Sequence, residues 1–194
     1  RNTYTSKWSQ SPCRLKMLAD YEKSPPQKNI VFSFEKNSSE LTLNCQNLSL
    51  PFQLRGFYGK LKHDFETPKL IFFRVNSAEH GAVRLDQKKL PLSSSLASLK
   101  TNIYIPMTLL SSEDFGILRK NLQGLVFYDY AISYLPKAHY NSAGIGVHVP
   151  FGGDIVSTGS LTLAKVSLSA ILFSRVNDRT SYQPSILFNL AGSF

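Results

Sequence analysis

Val126-Phe127-Tyr128-Asp129-Tyr130-Ala131-Ile132-Ser133-Tyr134 is the stretch whose reading decides the fold. Successive side chains of a strand point to opposite faces. Val126, Tyr128, Tyr130, Ile132 and Tyr134 therefore share one face, and Asp129 and Ser133 lie on the other.

The same period recurs on both sides of this stretch. Downstream, Ile145, Val147, Val149 and Phe151 share a face, and Ile186, Phe188 and Leu190 form a last alternating strand that runs to Phe194. The tract Leu161 to Phe173 changes phase. Its apolar residues are Leu161 and Leu163 at odd positions, then Val166, Leu168, Ala170 and Leu172 at even ones. That switch predicts a β-bulge or a bend near Lys165. Upstream, Thr101 to Pro106 reads as a strand stopped by proline, and Leu70 to Val75 as a central strand covered on both faces. Ile30, Phe32 and Phe34, with Leu41, Leu43 and Cys45, read as a hairpin turning at the polar run Glu35 to Ser39.

Helical signals are few. Ser111 to Asn121, with Phe115, Leu118 and Leu122 at helical spacing, predicts one short helix, and Lys16 to Glu22 one turn or two. Residues 88–99, with Ser93-Ser94-Ser95, read as a long mobile loop. Eight or more short strands separated by turn signals predict an all-β chain with one domain over residues 1–194. A β-sandwich is the expected architecture, with a β-barrel or jelly roll as the alternative.

Composition narrows the function. The 194 residues are 42% apolar, enough for a real core, and carry a net charge of +9. Residues 1–100 hold 16 Lys+Arg against 8 Asp+Glu, and residues 101–194 hold 6 against 5, so the basic character belongs to the first half. The lysines are scattered singly or in pairs, and no nucleic-acid-binding pattern is present, so nucleic acid is not an expected partner. No stretch approaches the length of apolar sequence that a transmembrane helix needs. Two cysteines exclude a disulfide-dense miniprotein and a four-cysteine zinc site. Cys13 and Cys45 are expected to bridge, closing a loop of about 33 residues in an oxidising compartment, rather than to stand as two separate buried thiols.

Catalytic chemistry is not signalled. There is no phosphate-binding loop, dinucleotide fingerprint or nucleophile elbow. His63, His80, His139 and His148 lack metal-ligand spacing. His139 and His148 are placed on neighbouring predicted strands. A binding or structural protein without a cofactor is expected, not an enzyme. The candidate ligand site is Tyr58, Lys60, Lys62 and His63, within Phe57 to His63. Aromatic faces there can stack on sugar rings, and the lysines can meet sialic acid or sulfate groups. The alternative is a half-buried strand whose lysines point to water.

Ile103-Tyr104-Ile105-Pro106, then Leu109-Leu110 and Leu118 to Leu125, with Gly124 ahead of Leu125-Val126-Phe127-Tyr128, resembles subunits of chaperone–usher fimbriae. The early cysteine pair and the final alternating strand add to the resemblance, which covers about a third of the chain. It implies an immunoglobulin-like sandwich lacking its seventh strand, supplied by a periplasmic chaperone or a neighbouring pilus subunit. Ile186, Phe188, Leu190 and Phe194 would then pair with that strand. The implied protein is an extracellular fimbrial subunit or adhesin, exported through the periplasm, that binds a host glycan or matrix protein. Residues 1–10 depart from the pattern, with no alternating run suited to a donor strand.

The alternative function is an outer-membrane β-barrel protein. Terminal Phe194 with Leu190, Phe188 and Ile186 fits its last strand, and Leu161 to Phe173 is long enough to cross a bilayer. Against it, the strands before residue 100 read as short, and the series of alternating segments of about 10 residues is incomplete.

Overall fold

Alternation in the sequence becomes long antiparallel strands. The computed structural model describes residues 2–10, 12–25, 32–46, 48–64, 68, 71–75, 83–85, 92–106, 122–150, 157–158, 161–177, 179–181 and 185–193. In chain order the strands are β1 (Asn2–Gln10), β2 (Cys13–Ser24), β3 (Phe34–Cys45), β4 (Phe52–His63), β5 (Phe73–Arg74), β6 (Leu92–Ser93), β7 (Ser95–Pro106), β8 (Gln123–Leu135), β9 (Lys137–Pro150), β10 (Ser157–Thr158), β11 (Leu161–Val176), β12 (Arg179–Ser181) and β13 (Ser185–Ser193). The all-β expectation is borne out.

Each long strand pairs antiparallel with the next, in the order β1-β2-β3-β4-β7-β8-β9-β11, and β13 pairs with β11. Among the described residues the sheet is open and not closed into a barrel. A small second layer, the β5–β6 pair with Val75, Val83 and Leu85, packs on one face of the large sheet, an arrangement consistent with a sandwich. Phe73 and Val83 from that layer meet Phe57, Leu61, Leu96, Ala131 and Tyr140 from the sheet. The Phe73 ring stands edge-on to Phe57 at 5.6 Å between centroids. A second cluster joins Leu125, Phe127 and Ile171. We call the side carrying these clusters the covered face and the other the open face.

Several local expectations are corrected. β3 runs straight through Glu35 to Ser39, because these residues pair one for one with β2 on one side and β4 on the other. Pairing on both sides satisfies the backbone groups that a turn would have left to water. Lys16 to Glu22 lies in β2, not in a helical turn. The expected loop over 88–99 gives way to β6 and β7, since Ser95 to Leu99 pair with both β4 and β8; residues 88–91 lie outside the described residues. Of the run Leu70 to Val75, the described residues 71–75 yield only the two residues of β5, in the overlying layer rather than the sheet centre. The helix expected over 111–121 lies outside the described residues.

The phase change near Lys165 is borne out as a register shift between Leu163 and Lys165 against β13. A second shift, between Ile171 and Phe173 against β9, leaves Leu172 as an extra residue. The Cys13–Cys45 disulfide forms, joining directly paired positions of β2 and β3. The strands of the large sheet before residue 100 are not short: β1 has 9 residues, and β2, β3 and β4 have 12 each. Among the described residues, no helix is long and apolar enough to cross a membrane.

Candidate functional site

Over much of the sheet the open face carries exposed apolar residues, while on the covered face buried polar residues stand among the apolar clusters. In β8, Val126, Tyr128 and Tyr134 are exposed, at 40%, 47% and 51%, whereas Asp129 and Ser133 are fully buried. Neighbouring strands repeat this. β7 exposes Leu99, Ile103 and Ile105 and buries Ser98 and Asn102. β9 exposes Ile145 and buries Ser142, and β11 exposes Leu168 and Leu172 and buries Ser169 and Ser174. The sheet register lines these exposed residues up in rows with half-buried neighbours. One row reads Phe52, Ile103, Val126, Ile145, Ala170, Ile186 across six strands. A second reads Met17, Leu41, Gly56, Leu99, Tyr130. An apolar trough of about 580 Å³ lies among Tyr4, Met17, Leu41 and Tyr58. Exposed apolar side chains thus recur on adjacent strands across the open face, the kind of surface that marks an interaction site.

The covered face carries a polar network. The Arg84 guanidinium lies over the Phe127 ring at 3.7 Å. Its Nε is 2.9 Å from Asp129 Oδ2, and its backbone N–H donates to the same oxygen at 3.1 Å. Arg84 Nη2 also donates to Asn102 Oδ1. Asn102 Nδ2 in turn reaches Gln53 Oε1 and Tyr104 Oη, each at 3.3 Å. Nearer the β8–β9 turn, the Ser133 hydroxyl donates to the Pro136 carbonyl at 2.5 Å and lies 2.7 Å from the Ser93 hydroxyl. Buried polar groups are tolerated when bonded in this way.

The residues expected to bind glycan divide between the faces. Tyr58, Lys60 and Lys62 are exposed at one end of the open face, and Lys62 pairs loosely with Glu35 at 3.7 Å. His63 falls on the opposite side, 4.6 Å from the Phe72 ring, with Nδ1 2.9 Å from the Asp64 carbonyl oxygen. Beyond it, the Asp64 carboxylate accepts from the Ser33 hydroxyl and from the Ser33 N–H at 3.0 Å. The Ser33 hydroxyl, foremost, and then its N–H hold that carboxyl below its ordinary value of 3.8. His139 and His148 share β9 rather than lying on adjacent strands. They occupy opposite faces, His139 beside Tyr130 and His148 against Tyr104. Ile186, Phe188 and Leu190 pair with β11 residues Ala170, Leu168 and Val166. Phe194 lies outside the described residues.

Two groups escaped the sequence reading. Arg84 gives no periodic signal, because it sits between strands in the overlying layer. Lys137 and Arg175 give no signal either, being single charges 38 residues apart in sequence. Strand parity counted straight through would put Lys137 with Asp129 and Ser133, whereas the tight turn at Pro136 pairs Tyr134 with Lys137 and Ile132 with His139 and so brings Lys137 to the tyrosine face. Among the described residues, no group of three or more His, Cys, Asp or Glu could hold a metal ion. No family model, curated protein or solved structure matches the chain.

Proposed function

We propose that this chain is a membrane-embedded β-sheet protein of the outer-membrane barrel type, its open face against lipid and its covered face turned to the interior. The apolar open face, with Asp129, Ser133, Ser142 and Asn102 buried on the other side, carries this reading. Strands of such proteins alternate apolar toward lipid and polar toward the interior, with aromatic residues where bilayer meets water. Crossing takes about 9–11 tilted residues, and the long strands from β1 to β13 supply at least 9 each. Tyr4, Trp8, Tyr58, Tyr128 and Tyr134 are exposed aromatics as such a boundary needs. The disulfide is compatible with export.

In lipid an unpaired sheet edge is costly, because nothing else can satisfy its backbone groups. The proposal therefore requires the edges at β1 and β13 to be paired. Every step across the sheet is antiparallel, so β1 and β13 run in the same direction. Pairing them directly would be parallel, and an antiparallel closure needs a further strand.

A fimbrial subunit that binds glycan through Tyr58, Lys60 and Lys62 is the second reading. The outer edge of β1, exposed along all nine residues, favours it as a place for strand addition. The apolar open face does not, since an adhesin keeps such residues in its core.

Trp8, the one tryptophan of the chain, supplies the test. Reconstituted into vesicles whose acyl chains carry bromine, Trp8 fluorescence should be strongly quenched. A chain that stays soluble without detergent, with Trp8 emission unchanged by brominated lipid, overturns the membrane reading.

A further inference from the structure

Where the apolar band of the open face ends, between β8, β9 and β11, a depression of about 510 Å³ is lined by Tyr130, Lys137, His139, Asn141, Arg175 and Asn177. Two fixed cations and a histidine face it, and no carboxylate does among the described residues. The site is held together by its own bonds. The Asn177 N–H donates to the His139 carbonyl, and the His139 N–H to Asn177 Oδ1, each at 2.8 Å. Arg175 Nε donates to the Asn177 carbonyl at 2.7 Å, and Tyr130 Oη lies 3.3 Å from His139 Nδ1. Asn177 adopts a left-handed φ of 53°, a conformation asparagine tolerates better than most residues, and this lets the turn after β11 fold back onto β9.

We infer that this depression binds the phosphate of an anionic lipid head group. The inference rests on the membrane reading above. Charge complementarity selects a phosphate, and position selects a lipid as its carrier. One rung along the same face from Tyr130, Asn141 and Arg175 stand Tyr128, Ala143 and Phe173, and the next rung is Val126, Ile145 and Ala170. A phosphate seated between Lys137 and Arg175 would leave its acyl chains lying along that apolar surface. Basic groups at a bilayer surface attract anionic lipid by such contacts.

The test uses the full chain in phosphatidylcholine bilayers, with spin-labelled phosphatidic acid or spin-labelled phosphatidylcholine as the probe. The motionally restricted fraction of each label reports contact with the protein. The wild type should restrict phosphatidic acid in preference, and that preference should fall roughly fivefold for each cation lost, in Lys137→Gln and again in Lys137→Gln/Arg175→Gln. The single variant alters only an exposed residue beside a turn, so it reads out even if the double variant does not insert. Equal restriction of both labels by the wild type, or an unchanged preference in Lys137→Gln, overturns the head-group site and leaves the membrane reading standing. No restricted component with either label overturns both. Loss of the preference on adding millimolar inorganic phosphate to the wild type would assign the site to free phosphate and overturn the lipid assignment.

Discussion

Arg84 and Asp129 face each other at 2.9 Å on the covered side of the sheet, with Asp129 fully shielded from solvent. The partners come from different layers, the arginine from the overlying segment and the aspartate from the middle of β8. This ion pair therefore ties the small layer to the sheet. Breaking it by Arg84→Met or Asp129→Leu leaves a lone buried charge and should cost about 3–5 kcal/mol. The double substitution, which removes both charges, should cost clearly less than the sum. Urea unfolding of the four proteins in one detergent, read as a double-mutant cycle, gives the coupling. Additive losses would show that the two groups stabilise the fold independently.

Ile145→Arg separates the two environments that the open face could meet. Ile145 is 52% exposed and sits in the six-strand row from Phe52 to Ile186 on the open face. On a soluble protein such a substitution falls within about 0.5 kcal/mol of neutral. At a bilayer midplane arginine costs about 2–4 kcal/mol. Equilibrium folding into vesicles should show the larger loss.

Gly56 and Gly59 lie on opposite faces of β4 and should respond differently to the same added methyl group. A Cβ at Gly59 would stand 2.6 Å from Cζ of Phe73, within the ring's own space, whereas a Cβ at Gly56 meets nothing within 4 Å. Gly59→Ala should destabilise by about 1–3 kcal/mol as the Phe73 ring is displaced. Gly56→Ala should be neutral or mildly stabilising, because alanine has less unfolded-state freedom to lose. Thermal melts of the two variants side by side decide this.

Asp64 gives the fold a pH dependence of known sign. Hydrogen bonds from Ser33 lower its folded pKa below 3.8. The folded chain thus holds the proton less tightly than the unfolded one, and the carboxylate favours folding at neutral pH. That contribution is complete above the unfolded pKa and is lost as pH falls through the folded value. A carboxyl carbon titration by NMR should place Asp64 below 3.8 in the wild type and move it upward in Ser33→Ala. An unmoved titration would remove Ser33 as the cause.

Much of the sheet was legible because side-chain alternation is local. Tyr128 and Tyr130 against Asp129 and Ser133 gave the two faces of β8, and the parity change at Lys165 gave the bulge. Alternation says that two faces differ, but not which one meets water. Strand count and turn signals predict a sandwich without saying which face of each strand is covered, and here Tyr128 and Tyr134 lie on the exposed one. The run Glu35 to Ser39 was misread as a turn for the same reason: a polar stretch resembles a loop unless its neighbours are known to pair on both sides. Arg84 could not be found at all, since its partner Asp129 is 45 residues away in sequence.

The Cys13–Cys45 bridge joins residues that stand directly opposite each other, with Cys45 buried. In a sheet whose two faces have opposite polarity, sliding one strand by a single residue would turn all its apolar groups to the wrong side. The covalent link forbids that slide between β2 and β3, and tight pairing with β1 and β4 passes the constraint to both neighbours. The bridge therefore acts as an indexing pin: it fixes which residue meets which, and so keeps the first strands in step with the apolar rows of the rest.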